Sequence, residues 1–155
     1  MDLLAPLAET PIARALIASS VLYLLVNAGH IIGIATLFGA ILALDLRLLG
    51  LAPTVPLASV APYLSRLAAL GFGVAALTGF CLFTVRPTEY AANPAFLTKL
   101  CLISLGLINV FVVHRSEGWR HLAGGHIGIG LRISGVFSIL FWTSAIIAGR
   151  WIGFL

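Results

Sequence analysis

Hydrophobic residues in this chain come in long unbroken runs and not in short alternating ones. The first run covers about 20–44, the second 67–85 and the third 95–113. The fourth is densest over 133–148 and extends to about 128–149 once the long stem of Arg132 is allowed to reach outward. At about 1.5 Å per residue each run approaches the roughly 30 Å of a hydrocarbon core. Strands would need a period of two and a closed barrel, so the spans are predicted to be helices.

The connections are short and carry the expected punctuation. Thr10-Pro11 reads as an N-cap and first-turn proline for a short interfacial helix over "PIARALIA", with Ser19 or Ser20 capping the first span. Pro53 and Pro56 mark the first loop, "RPTEYAANP" the second and "RSEGWRHLAGGH" the third. No repeat or second domain is visible. The expected fold is all-α and integral to the membrane: one domain over 1–155, a four-transmembrane-helix bundle with a short N-terminal interfacial helix.

Composition turns this pattern into a class. Hydrophobic residues make up 61% of the chain and charged ones 9%, against about 25% charged in ordinary soluble domains. A core of this length cannot absorb that apolar surface, so the excess must face a lipid bilayer. The net charge of +4 suits anionic headgroups. Without a basic stripe carrying interleaved aromatics, it does not point to nucleic acid. Cys81 and Cys101 sit in spans as small apolar residues and form no CxxC motif. The acidic start and Pro11 do not match a secretory signal, so the N-terminus is expected to stay in the mature chain.

Four spans put both termini on one side, here side A, with Arg14, Arg86, Lys99 and Arg150. Side B has Arg47, Arg66, Arg115, Arg120 and Arg132. Five cations against four is too small a margin for the positive-inside rule to fix orientation, and it tilts toward side B being cytoplasmic.

The chemistry is expected where polar side chains enter the spans. His30 lies roughly 15 Å from the side-A end of the first run and 21 Å from the other, near the midplane. Asn27, Gly33 and Leu37 share its face. A glycine one turn from an imidazole leaves room for a flat, bulky ligand, which suits haem with His30 on the iron. The alternative is a structural histidine bonded across helices through Asn27 or Asn109. Lys99 enters the third span by about 6 Å. It either snorkels outward or, with Arg86 and Arg150, meets the carboxylates of a cofactor lowered into the bundle.

No second histidine shares the depth of His30, so a haem there is expected to be five-coordinate or to take an unusual ligand. His114, His121 and His126 gather at side B, either as solvated interfacial residues or as a second haem, copper or zinc site. Asp45 and Arg47 read as an ion pair closing the first helix. Trp119 and Trp151 suit an interfacial belt, and Trp142 lies deeper as packing.

The segments "HIIGIATLFGAILALDLRLLG", "FLTKLCLISLGLINVFVVHR" and "LRISGVFSILFWTSAIIAGRWIGF" resemble small bacterial membrane proteins related to the copper-resistance D domain and to the J-type protoporphyrinogen oxidase. The specific points are His30, the Asp45-Leu46-Arg47 exit, Lys99 and Gly149-Arg150. In the J-type oxidase a first-span histidine is linked to haem b and a third-span lysine matters for activity, and these roles would fall on His30 and Lys99. The residues flanking both positions and the Asp45-Leu46-Arg47 exit differ from that family. The resemblance thus favours haem binding over any one substrate.

The implied protein is a multi-pass haem-b protein of the bacterial inner membrane. It would handle electrons with quinone or another redox protein. Alternatives are a porphyrinogen-oxidising enzyme on the same scaffold and a haem-free copper-handling protein. Glycines 71, 73 and 79 would allow close helix contact, within the chain or in a homo-oligomer.

Overall fold

Capping side chains open the first two α-helices of the chain. A 3-10 turn over Ala5–Glu9 leads to Thr10, whose Oγ1 accepts the Ala13 amide at 3.3 Å. Pro11 fills the first turn, where a missing N–H costs nothing, and begins α1 (Pro11–Ala18). Ser19 Oγ accepts the Leu22 amide at 3.2 Å and opens α2 (Ser20–Leu48). There follow α3 (Leu57–Phe83), α4 (Pro87–Ala92), α5 (Pro94–Arg115), α6 (Glu117–Arg120), α7 (Ile129–Trp151) and a 3-10 turn over Ile152–Phe154. The computed structural model describes residues 4–51, 53–120 and 127–154. No strand occurs among the described residues.

Four helices are long and apolar enough to cross a membrane: α2, α3, α5, and α7 with its 3-10 extension. The chain is an all-α, multi-pass membrane bundle with a short helix ahead of its first span. The clearest difference from expectation is α3, which starts ten residues earlier than the apolar run, at Leu57 and not at 67. Pro62 interrupts its hydrogen-bond ladder on an exposed face. The helix continues because Leu57, Ala61 and Leu64 pack into an apolar cluster with Leu44 and Leu48 of α2. Packing here outweighs a local breaker.

The spans pair as two hairpins, α2 with α3 and α5 with α7, joined where α2 packs on α7. At the α2–α3 crossing the backbones touch. A Cβ on Gly71 would stand 2.5 Å from Leu37 N, and one on Gly33 would stand 2.7 Å from Ala75 N. Small residues permit this approach, which lipid-embedded helices use in place of a hydrophobic driving force. Mid-bundle, Leu37, Ile41 and Trp142 form a buried layer on which Phe72 of α3 and Ile103 of α5 also pack. The outer helices therefore meet through side chains. The Trp142 indole fills the place a side chain on Gly106 would take, 2.9 Å from its Cβ position.

Candidate functional site

On the side-A face of the Trp142 layer, the four spans bring His30, Gly79, Lys99 and Gly149 to one level. His30 Nδ1 lies 2.9 Å from Ala75 O and 3.1 Å from Thr78 Oγ1, both on α3. Thr78 already donates its hydroxyl proton to Val74 O at 2.6 Å. A carbonyl oxygen can only accept, so Nδ1 carries the ring proton and donates it to Ala75. Nε2 is left with its lone pair, and it makes no hydrogen bond among the described residues. The ring rests against Gly79, where a Cβ would stand 2.9 Å from Cε1 and 3.3 Å from Nδ1.

Lys99 lies five residues into α5, or roughly 7.5 Å from its start. Its stem crosses α7 at Gly149: a Cβ there would stand 3.3 Å from Lys99 Cδ and 3.5 Å from both Cε and Nζ. The lysine is half-buried. It makes no ion pair among the described residues. The side chain thus lies along a neighbouring helix, Nζ included.

The depth of His30 differs from expectation. It sits level with Thr78 and Gly79, about 6–8 Å from the side-A end of α3, and not at the midplane. The reason is an overhang: Tyr23 on α2 lies beside Val85 and Arg86, past the end of α3. The first turns of α2 therefore run above the other spans. A cavity of about 690 Å³ opens at this end, lined by Tyr23, Arg86, Glu89, Tyr90, Asn93 and Gly153 among others. By register it stands one to two turns outside the His30–Lys99 level. Burial, with the neighbouring Tyr23, pushes the Tyr90 phenol up, so it stays a hydrogen-bond donor there.

The other expected site residues scatter. Gly33 leaves no room for a flat ligand, because the α3 backbone already fills its open side. Asn27 is exposed and does not join His30. Arg86 is exposed and paired with Glu89 at 3.3 Å, so it is not a free cation. Arg150 lies over the Phe154 ring, 4.9 Å from its centroid. His114 donates through Nδ1 to Val110 O of its own helix at 2.8 Å and packs on Trp119. His121 and His126 lie outside the described residues. Among the described residues no three His, Cys, Asp or Glu side chains converge.

Two expected pairings are replaced. Asp45 is buried and faces α7, while Arg47 turns to the carbonyls of Val55 and Pro53, at 2.8 and 3.2 Å. Residues two apart on a helix point to different faces, so this ion pair could not close. Asn109 bonds Ser134 of α7, through Ser134 Oγ to Asn109 Oδ1 at 2.6 Å and Asn109 Nδ2 to Ser134 O at 3.1 Å, and not His30. The partners missed were Ala75, Thr78 and Gly79. The small residues Gly71, Ala75 and Gly79, spaced by four, could have identified the α3 face that receives α2.

Residues 16–155 match the model of a family described as of unknown function, DUF6644. No curated protein and no solved structure matches the chain.

Proposed function

The chain belongs to this family, DUF6644, and we propose that it is a haem-b-binding redox protein of the bacterial inner membrane. In this reading His30 holds the iron through Nε2, and Lys99 supplies the cation for a cofactor carboxylate. The observation that carries the reading is the Nδ1–Ala75 hydrogen bond. Histidines that bind metals characteristically donate their other ring N–H to a carbonyl or carboxylate, which fixes the tautomer and aims the free nitrogen. His30 has that arrangement inside an apolar bundle, where an imidazole marks a functional site by default.

Lys99 supports the same reading. A lone ammonium half-buried among apolar helices favours an anionic partner, and a carboxylate would make a charge-assisted hydrogen bond with it. Gly79 and Gly149 keep the walls beside both side chains free of Cβ atoms. When bound, the cofactor supplies one-electron chemistry that the side chains lack. The protein's part is to hold the imidazole in one tautomer and to place a cation nearby. The natural electron partner is a bilayer quinone or another redox protein.

The test is an absorption spectrum of the protein purified in detergent after expression with ample haem. A Soret band is expected in the wild type and in His114→Ala, and its loss in His30→Ala. Equal loss in both variants, or no band in the wild type, would contradict the proposal.

A further inference from the structure

Asp45 lies on α2 about 22 Å along the helix from His30, on the far side of the Leu37–Ile41–Trp142 layer. It is 5% exposed, and its Oδ2 has no hydrogen-bond partner. Ser138 of α7, 3% exposed, stands beside the carboxyl. Gly135, one turn away, lets α7 come close: a Cβ there would stand 3.5 Å from Asp45 O. Ser65 lies one turn toward side B from Ala68 on the inward face of α3, and its Oγ is also buried without a partner. Toward side B lies an apolar cluster that includes Leu44, Leu48 and Val113.

The charges around this level point elsewhere. Arg47, on the same helix, is held by the carbonyls of Val55 and Pro53. Arg66 of α3 and Arg132 of α7 are exposed, and α1 packs at the opposite end of α2. No cation pairs with Asp45 among the described residues. A bare carboxylate without a countercharge is costly to hold in such surroundings, yet the carboxyl is placed inside the bundle with one oxygen free.

We propose that Asp45 is an intramembrane proton-binding site, separate from the His30 level. A proton from surface water forms an O–H bond on Oδ2, and Ser138 orients the resulting acid. The other acidic residues, Asp2, Glu9, Glu89 and Glu117, fall outside the four spans, so Asp45 is the single carboxyl side chain within them.

The test is infrared spectroscopy of the full chain in liposomes at neutral pH in sodium-free buffer, comparing wild type with Asp45→Asn. A carboxylic-acid C=O band is expected in the wild type, shifted down in heavy water and lost in the variant. Ser138→Ala should keep the band but move it to higher frequency, a readout that reports the acid itself and not fold stability. Carboxylate bands assigned to Asp45 in place of the acid band would overturn the proposal. So would an acid band that sodium chloride converts to carboxylate bands, because the site would then hold a metal cation. Haem content plays no part in these outcomes, so they are independent of the proposed role of His30.

Discussion

His30 Nδ1 and the carbonyl oxygen of Ala75 stand 2.9 Å apart, joining α2 to α3 one turn beyond the point where their backbones touch. This contact is both structural and chemical. It satisfies a polar hydrogen inside an apolar bundle, and it leaves the second nitrogen as the only lone pair the ring can offer. Nε2 has no protein partner among the described residues.

The ring's position depends on Gly79. Its replacement by alanine would put a methyl group 2.9 Å from Cε1 and 3.3 Å from Nδ1, which forces the imidazole off the Ala75 carbonyl. Gly79→Ala should lose about 1–3 kcal/mol of stability through overpacking and retain less haem. Gly73→Ala, with no atom within 4 Å of its Cβ position, should match the wild type in thermal melting and haem content.

The α2–α3 crossing has no slack. Gly71→Ala would drive a methyl group into the Leu37 backbone at 2.5 Å, and backbone cannot rotate away as a side chain can. We expect a cost at or above the upper end of the usual 1–3 kcal/mol for overpacking, read as a large drop in melting temperature or in folded yield. Gly39→Ala, open on all sides, should be neutral.

Membrane insertion was legible in the sequence because length and hydropathy alone decide it. All four expected spans lie within the observed helices, apart from Thr84 and Val85 at the end of the second and Gly128 at the start of the fourth. Facing was far less legible. These helices are apolar on nearly every side, so periodicity could not say which residues look inward. That is why the sequence alone suggests open space at Gly33 and an ion pair between Asp45 and Arg47. The informative signal lay in small residues: Gly71, Ala75 and Gly79 trace the contact stripe on α3, while Gly106 and Gly149 mark where Trp142 and Lys99 lie. His30 and Lys99 could be singled out from composition, because a polar side chain in hydrocarbon is conspicuous wherever it points. Their common level could not, because the overhang of α2 shifts its register against the other spans.

Lys99 separates cofactor binding from simple packing. Lys99→Met keeps the long stem against Gly149 and removes the charge, so the melting temperature of the cofactor-free protein should barely change. Haem retention should weaken by roughly ten- to a hundredfold, in line with about 1.5–3 kcal/mol for a hydrogen bond to a charged group. Equal retention in both proteins would leave Lys99 as a packing residue.

The most direct test of His30 Nε2 as the iron ligand is chemical rescue in His30→Gly, followed by absorption spectroscopy in detergent. The variant should purify without the Soret band and regain it when haem and free imidazole are added together, because imidazole can occupy the space the side chain has vacated. With unbound haem removed by gel filtration, protein given haem without imidazole should carry no Soret band. A His30→Gly protein that binds haem with an unchanged spectrum, and no response to imidazole, would contradict the assignment and place the iron elsewhere.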